Sequence, residues 1–310
     1  MSDIAADRVA SLDSMAAELA KTGEYRVLRK FEPWDRYGKA TEGCETSVSF
    51  LDVETTGVEV QDVPIEIGIV RVEYDAKTGE LGKVLERYAG LEDPLRPLPE
   101  HIVKLTGITD ADVKGKTFDG TAIKGIVQRS SLIVSHNASF DRGMTEKRFN
   151  FMMKRAWGCT MADVPWAEVG VASKKLEFIA MTRGLFYGAH RALEDAEVAA
   201  TVAGMPLVDG KPAFLWVLEQ ARSDWYRVWA TEAPFESKAK LKEAGYEWCD
   251  GTKTEHKAWR RLTKDPTEEM DFLAKEVYGY RGKALLQELG KLDRFSERYK
   301  AQEWVSMARC

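Results

Sequence analysis

The sequence predicts an α/β protein built on a mixed five-stranded sheet flanked by helices. Three apolar segments joined by short connections come first, at 48–53, 65–72 and 84–88, and such segments are most simply antiparallel strands. Two further segments, 132–135 and 157–163, alternate with helical patterns. Strands that alternate with helices belong to a sheet covered by helices, so the five segments predict one mixed sheet.

The helices are predicted from apolar residues that recur every three or four positions. In chain order they lie at 4–22, directly after the Pro-rich loop Pro94–Pro99, at 117–129, from the segment 136–141 onwards, at 175–183, at 193–202 and at 213–230. Ser139 is the expected N-cap of the helix that opens in 136–141. The segment Asp75–Gly79 has the residues of a hairpin turn between the second and third strands.

The pattern changes around Pro206–Pro212, which indicates more than one structural unit. We expect an N-terminal helical extension (1–46), the α/β domain (47–205), a connecting helix or linker (206–232) and a small aromatic-rich C-terminal domain (233–310). The predicted connecting helix contains Trp216, Trp225 and Trp229.

Composition is that of an ordinary globular chain. Of its 310 residues, 44% are hydrophobic and 31% charged, and the net charge of −5 provides no global basic field for nucleic acid. No apolar run approaches the ~18 residues that span a bilayer, and the N-terminus has no signal-like apolar region. The four cysteines form no CxxC pair. We therefore expect a reduced, cytoplasmic protein without a membrane partner.

The first predicted strand ends in two carboxylates, within SFLDVETTG. Side chains alternate along a strand, so Asp52 and Glu54 point to the same face. Two buried carboxylates side by side are unfavourable unless positive charge meets them. An isolated pair of this kind is more often a solvated strand end.

Two further acids occur in similar contexts. Asp141 follows the apolar strand 132–135 and Asp195 lies in a predicted helix. Their ordinary roles would be to complement a helix dipole and to face solvent, and the neighbouring Glu194 is assigned the latter. If the four acids converge, only hard divalent cations such as Mg²⁺ or Mn²⁺ stabilise the cluster, because these ions prefer oxygen ligands. No cluster of His or Cys offers a zinc alternative.

His190 precedes Asp195 by five residues, which would place the two about 140° apart on one helix. It can reach the acids only from the loop before the helix, which Tyr187, Gly188 and Ala189 permit. A loop histidine beside metal ions suits a general base, and its alternative is an ordinary surface position. His136 ends a strand, and we expect it to make a structural hydrogen bond.

Five segments together resemble a known family, the DEDDh 3′–5′ exonucleases, which includes the proofreading epsilon subunit of bacterial DNA polymerase III and ribonuclease T. They are DVETTG, PIEIG, HIVKLTGIT, SHNASFD and HRALEDA, in this order over about residues 47–204. The resemblance implies a ribonuclease H-like fold. It also implies hydrolysis from the 3′ ends of DNA, single-stranded or frayed, with release of nucleoside 5′-monophosphates.

The resemblance further implies a catalytic set and a substrate set. Two divalent cations, Mg²⁺ or Mn²⁺, would be bound by Asp52, Glu54, Asp141 and Asp195, with His190 as general base. The substrate contacts would come from Thr55, Thr56, Gly57, His101, Thr106, Ile108, Asn137 and Phe140. The loop between His101 and Thr109 would pack against the terminal bases, and its alternative is a simple surface loop.

Several alternatives stay open at this point. An RNA-trimming enzyme could use the same scaffold, and the chain could instead serve as a docking subunit of a polymerase or repair complex; a homo-oligomer is also open. In the C-terminal segment, basic residues alternate with aromatic ones, which suits either a nucleic-acid platform or the core of a small domain. We favour the core for this set, which comprises Lys238, Lys240, Lys242, Tyr246, Trp248, Lys257, Trp259, Arg260 and Arg261.

Overall fold

The computed structural model describes residues 2–38, 46–207, 210–251, 256–296 and 303–307. Within these ranges it contains two five-stranded sheets and a pair of two-residue strands. Cys159 and Cys249 are buried, whereas Cys44 and Cys310 lie outside the described residues. No helix in the described ranges has both the length and the apolar character needed to cross a bilayer.

After the N-terminal helix four strands follow one another along the chain, and from there to about residue 222 helices alternate with strands. The strands are β1 (Arg29–Lys30), β2 (Ser47–Thr55), β3 (Pro64–Tyr74), β4 (Leu81–Leu91), β5 (Leu132–Ser135), β6 (Trp157–Cys159), β7 (Leu185–Phe186), β8 (Trp225–Ala230), β9 (Glu247–Asp250), β10 (Lys257–Thr263), β11 (Lys283–Leu289) and β12 (Glu303–Ser306). The helices are α1 (Ser2–Lys21), α2 (Glu100–Thr106), α3 (Asp110–Val113), α4 (Gly120–Gln128), α5 (Ala138–Arg148), α6 (Thr160–Asp163), α7 (Leu176–Thr182), α8 (Ala192–Gly204), α9 (Ala213–Arg222), α10 (Lys238–Glu243) and α11 (Pro266–Phe272). Single turns of other helix types occupy Asn150–Lys154, Phe235–Ser237 and Leu273–Val277.

The first sheet has the order β4-β3-β2-β5-β6. Strand β3 is antiparallel to β2 and β4, whereas β5 is parallel to β2 and β6. The predicted mixed five-stranded sheet flanked by helices is therefore confirmed, and with it the ribonuclease H-like arrangement. The hairpin turn between β3 and β4 is also confirmed, because the Asp75 carboxylate accepts hydrogen bonds from the backbone N–H groups of Lys77 and Thr78.

The two faces of β2 pack into different cores. Val48 and Phe50 lie in a cluster with Ala196 and Ala199 of α8. Leu51 and Val53 point to the other face, where a second cluster contains apolar residues of α4 and α5. Because side chains alternate, Asp52 and Glu54 continue the face that α8 covers. The register of the strand thus places both carboxylates under the first turn of α8.

Gly68 allows α8 to approach the sheet this closely. It pairs with Asp52 across the β2–β3 ladder, and a β-carbon at this position would overlap the backbone of Ala192 and Leu193. Any larger residue would therefore push the start of α8 away from the two carboxylates of β2.

Three predicted element boundaries are wrong. Helix α5 begins at Ala138 with Asn137 at the N-cap position, two residues before the expected Ser139. The fifth strand ends at Cys159, because the thiol of that residue accepts a hydrogen bond from the N–H of Ala162 and caps the short helix α6. The connecting helix predicted over 213–230 ends at Arg222.

The remainder of that predicted helix is strand β8. Four of the six residues in Trp225–Ala230 are aromatic or β-branched, and pairing with β10 and β11 makes β8 the central strand of the second sheet, ordered β12-β11-β8-β10-β9. Pairing with residues 29 to 64 positions further along the chain thus overrode the helical pattern. A strand from the predicted linker lies in one sheet with strands of the predicted C-terminal domain. The division of the chain into domains itself stays a prediction.

Part of the predicted N-terminal extension contributes to the α/β core. Strand β1 pairs with β7 in parallel, and the following Phe31 is buried in the cluster of α8. The hydroxyl of Tyr37 donates to the backbone oxygen of Glu197 in α8. A two-residue strand leaves no periodic signal, which is why the sequence did not reveal this pairing.

We predict that Gly68→Ala lowers the free energy of unfolding by about 1–3 kcal/mol, because the added methyl group overpacks the contact with α8. Gly143→Ala is the matched control. Among the described residues, no heavy atom beyond its chain neighbours and the backbone of its own helix lies within 4 Å of the β-carbon it would add in α5, so we expect a neutral or slightly stabilising effect. Urea denaturation measures both. Equal unfolding midpoints for the two variants would contradict the close approach.

Candidate metal centre

Three of the predicted metal ligands meet at the end of β2. Asp52, Glu54 and Asp195 each place a carboxylate oxygen within 4.8 Å of the other two. Asp52 and Glu54 come from one face of β2, and Asp195 comes from the first turn of α8. These three carboxylates therefore converge, which distinguishes them from ordinary surface acids.

Asp141 reaches the same region from α5 by a different contact. Strand β5 pairs with β2 only at Val48–Phe50, and beyond this point Asp141 Oδ1 accepts a hydrogen bond from the N–H of Val53 at 3.1 Å. Asp141 is 2% exposed. Asp141 lies outside the group of three, but its negative charge acts on Asp52, whose pKa it helps to raise.

Asp195 is held by the loop that precedes its helix. One carboxylate oxygen accepts the N–H groups of His190 at 2.8 Å and Arg191 at 3.0 Å, and the other accepts the hydroxyl of Tyr187 at 2.9 Å. His190 has φ 73°, a left-handed conformation that is uncommon for residues other than glycine. It lies before α8 and is partly exposed, so the loop position that its proposed role requires is confirmed.

Glu66 and Arg191 form an ion pair beside the acids, and sequence reasoning missed both. The guanidinium of Arg191 lies 2.8 Å from Glu66, whose other oxygen accepts the N–H of Ala192 at 2.9 Å. Glu66 stands directly opposite Glu54 across the ladder. The signal was available, since Glu66 lies in the quoted PIEIG segment and Arg191 follows His190. The pair attaches the start of α8 to β3.

Burial raises the pKa values of all four predicted ligands above the ordinary carboxyl range. For Asp52, burial is followed by the negative charges of Asp141 and Asp195. For Glu54, burial and then Asp195 and Glu66 raise the pKa to about 8, against a smaller opposing effect of Arg191. Asp141 and Asp195 shift in the same direction, also mainly through burial. Without added positive charge, the folded protein resists ionising this cluster.

The donor set fits divalent cations. All three clustered groups are carboxylates, which offer the oxygen ligands that hard cations prefer, and they lie close enough to share an ion. The raised pKa values support the same conclusion, because a bound cation would reduce the repulsion between carboxylates that contributes to them. Asp52, Glu54 and Asp195 are the residues that would bind such an ion, with Asp141 at the edge of the group.

The structure uses Thr55, Thr56 and Gly57 to hold their own turn. The hydroxyl of Thr55 donates to the backbone oxygen of Gly57, and that of Thr56 donates to Asp62 at 2.8 Å. The N–H of Thr56 donates to the backbone oxygen of Val63. These groups are therefore engaged within the loop, and their contact with a nucleotide stays a prediction.

The predicted contact segment from His101 to Thr109 is divided between surface and core. His101 is exposed on α2. Ile108 is 3% exposed and lies in a buried cluster with Ile65, and the hydroxyl of Thr106 donates to the backbone of Ile102. Ile108 thus packs into the core instead of presenting an apolar face. The exposed apolar residue of this segment is Leu105, at 49%.

The predicted residues around the start of α5 differ in exposure and in their contacts. Asn137 is exposed, whereas Phe140 is partly buried against the cluster beneath α5. The two ring nitrogens of His136 are hydrogen-bonded to Thr160 and to the backbone of Lys174, which confirms the expected structural role. Burial lowers the pKa of His136 to about 4, so its ring is neutral at physiological pH.

Comparison with known proteins identifies one matching family model, described as Exonuclease, over residues 49–203. DNA polymerase III PolC-type from Clostridium perfringens is 30% identical over 159 residues, which cover 49% of this chain and 10% of that protein. The corresponding protein of Listeria monocytogenes is 29% identical over 175 residues, covering 52% and 11%. The chain thus spans about a tenth of the length of these curated relatives.

A search of solved structures found Exonuclease X in complex with 5′ overhanging duplex DNA. It is 24% identical, with a TM-score of 0.37, and the match covers 56% of this chain and 92% of that one.

We predict that the pH dependence of stability differs between the metal-free protein and its Glu54→Gln variant. The pKa of Glu54 is raised to about 8, so between about pH 5 and 8 the folded wild type keeps a proton that the unfolded chain has lost. Its free energy of unfolding therefore falls as pH rises through this window. Glutamine does not titrate, so the variant should become more stable than the wild type by at least about 1 kcal/mol at pH 8.

Thermal unfolding in EDTA at pH 5 and pH 8 measures this difference. Adding Mn²⁺ at about 100 times its Kd should then stabilise the wild type by about 2.7 kcal/mol. The same addition should stabilise Glu54→Gln less. A difference between the two proteins that does not change with pH would contradict the raised pKa.

Proposed function

Because the chain belongs to the exonuclease family, whose model matches residues 49–203, we propose that it is a divalent-cation-dependent 3′–5′ exonuclease. Its substrates are the 3′ ends of DNA, single-stranded or frayed, and its products are nucleoside 5′-monophosphates. The observation that carries this proposal is the meeting of Asp52, Glu54 and Asp195 within 4.8 Å at the end of β2. An acid cluster of this kind, in a chain of this family, suits phosphodiester hydrolysis.

The residues of the chain have separate tasks in this proposal. Asp52, Glu54 and Asp195, with Asp141, would hold two cations, Mg²⁺ or Mn²⁺. Such ions supply Lewis-acid chemistry and charge neutralisation at the scissile phosphate.

His190 is the proposed general base that accepts a proton from the attacking water at a ring nitrogen. The backbone N–H of His190 donates a hydrogen bond to Asp195, so the imidazole is the part of this residue that can accept the proton. Tyr187 and Arg191 are positioning residues, because both act through Asp195 or the start of α8.

The relatives support DNA as substrate and leave the setting of the activity a prediction. The curated relatives are named as DNA polymerases, and Exonuclease X was solved with DNA. A polymerase or repair-complex partner and a cytoplasmic location both stay predictions, as does self-association. RNA is the alternative substrate, since no described contact of the acid cluster distinguishes the two sugars.

The test is the product ladder from matched DNA and RNA oligonucleotides labelled at the 5′ end. We expect a ladder that shortens from the 3′ end with Mg²⁺ or Mn²⁺ and disappears in EDTA, with DNA cut faster than RNA. Immediate release of the labelled terminal nucleotide would indicate the opposite polarity. Faster cleavage of RNA would favour the trimming enzyme.

Two neighbouring residues of α8 provide matched variants for this test. Asp195→Asn should leave no cleavage above the EDTA background, because it removes one of the three converging carboxylates. Glu194→Gln removes an equal charge one residue earlier, outside that group, and should retain the ladder. Equal loss in both variants would show that the acid cluster is not the reaction centre.

We predict that His190→Ala lowers the rate of cleavage by at least about 10²-fold, because the attacking water loses its proton acceptor. Single-turnover cleavage of a saturating oligonucleotide measures this rate. Stabilisation of the variant by Mn²⁺ should persist, since the imidazole is not among the clustered ligands. Turnover near that of the wild type would remove His190 from the mechanism.

A further inference from the structure

Arg191 presents an unused edge of its guanidinium group beside the acid cluster. Its Nη2 atom lies 2.8 Å from the Glu66 carboxylate, and its Nε atom lies 3.2 and 3.3 Å from the two oxygens of that group. Glu66 therefore occupies one edge of the planar guanidinium. Across the part of the chain that the structure describes, Nη1 makes no hydrogen bond, and the Arg191 side chain is 54% exposed. The edge formed by Nη1 and the second proton of Nη2 is open to a ligand.

Arg87 also attaches α8 to the first sheet, but it has no such edge. Its Nε atom donates to Glu197 of α8 at 2.6 Å. Its Nη1 atom donates to Asp35 at 3.1 Å, and its Nη2 atom donates to the backbone oxygen of Trp34 at 2.8 Å. All three nitrogen atoms of Arg87 are thus used within the chain, whereas Arg191 keeps one edge free.

The guanidinium of Arg191 lies next to the predicted metal ligands. Glu66 stands directly opposite Glu54 across the β2–β3 ladder, and the β-carbons of such a pair lie about 5 Å apart on one face. Burial raises the pKa of Glu54, and the charge of Arg191 opposes this rise, so the guanidinium lies within electrostatic range of Glu54. The backbone N–H of Arg191 donates to Asp195 at 3.0 Å. Arg191 therefore contacts one carboxylate of the cluster and adjoins another.

Helix α3 lies near the same guanidinium. The negative charge of Asp112 in α3 acts on Arg191, as does that of Glu54. Asp112 itself accepts hydrogen bonds from the N–H and the hydroxyl of Thr109, at 2.8 and 2.6 Å, and none of the described ion pairs joins it to Arg191. The guanidinium thus lies between the end of β2 and α3. The turn after β2 and the segment before α3 are the two segments expected to contact the terminal nucleotide.

We propose that the free edge of Arg191 binds the phosphate group of the nucleotide being removed. The inference rests on the proposed function and makes Arg191 a catalytic residue, in addition to its attachment of α8. A guanidinium edge offers two parallel N–H donors, which match two oxygens of a phosphate. Because Glu66 already holds the guanidinium, little side-chain freedom is lost when a phosphate binds. DNA and RNA share this phosphate chemistry, so both products are tested.

The experiment measures the affinity of the full chain for nucleoside 5′-monophosphates in Mg²⁺, by titration calorimetry. Thymidine 5′-monophosphate and uridine 5′-monophosphate represent the DNA and RNA products, and thymidine and uridine lack the phosphate. Arg191→Gln keeps the backbone N–H that Asp195 accepts. It should raise the Kd of the monophosphate that the wild type binds more tightly by at least about tenfold, because a charged hydrogen bond is lost. The Kd of the matching nucleoside should change much less.

Two control variants separate phosphate binding from attachment of the helix. Glu66→Gln breaks the same ion pair but keeps the guanidinium, so any rise in the Kd of the monophosphate should be much smaller than in Arg191→Gln. Arg87→Gln removes the other pair, which has no free edge, and should leave this Kd unchanged. A rise in either control that equals the rise in Arg191→Gln would show that the effect comes from a displaced helix, which overturns the proposal.

A third variant keeps the test decisive if Arg191→Gln unfolds at a lower temperature than the wild type. Arg191→Lys retains a cation that can pair with Glu66, but an ammonium group has no second planar edge. It should also raise the Kd of the monophosphate, and an affinity equal to that of the wild type overturns the proposal.

The outcomes distinguish this proposal from the exonuclease activity. Unchanged affinity in Arg191→Gln, or a wild type that binds neither monophosphate, overturns the role of Arg191 even if the wild type produces a ladder. Loss of affinity in Arg191→Gln, with both controls intact, supports that role even if the wild type cleaves neither strand, in which case the proposed function fails alone.

Discussion

The close approach of helix α8 to strand β3 at Gly68 is the contact on which the acidic centre depends. Asp52 and Glu54 lie on the strand next to β3, so a helix that starts against Gly68 places Asp195 beside both. The Glu66–Arg191 pair and the bond from Ala192 to Glu66 attach the helix at the same point. The absence of a side chain at Gly68 therefore allows α8 to lie close enough to β2 for two distant segments of the chain to form one site.

The same contact creates an electrostatic cost. Four carboxyl groups with raised pKa values lie in the same region, Asp141 and Asp195 buried and Asp52 and Glu54 partly buried. Asp141 accepts a hydrogen bond from the N–H of Val53, and Asp195 accepts hydrogen bonds from His190 and Tyr187. Such dipoles orient the carboxylates but do not neutralise them. Only added positive charge can do that, which is why the arrangement favours a cation site over a structural ion pair. The two apolar clusters on either side of β2 offset this electrostatic cost, because they bury hydrophobic side chains.

Buried polar contacts join the segment that follows β11 to helices α5 and α6, which flank the first sheet. Arg142 of α5 donates to the backbone oxygens of Arg294 and Leu292, and Arg294 pairs with Asp163 of α6. Because α5 also supplies Asp141, one helix contacts both the acid cluster and the segment that follows β11. This shared helix gives the aromatic and basic residues near the end of the chain a structural connection to the chemistry at β2. Tyr246 and Trp259 belong to the core of the second unit, as favoured, whereas Trp248 is 51% exposed.

The sequence by itself determined the features that depend on local periodicity. Alternation along one strand placed Asp52 and Glu54 on a common face. The pattern of apolar segments predicted the mixed sheet, the motifs indicated the family, and the five-residue offset from Asp195 required a loop position for His190. Tertiary structure decided the features that depend on residues far apart in the chain. These include the bond from Val53 to Asp141, the role of Glu66 and Arg191, the burial of Ile108 and the strand at Trp225–Ala230. The physical reason is that local patterns set which way a side chain points, whereas only packing between distant segments decides what it meets.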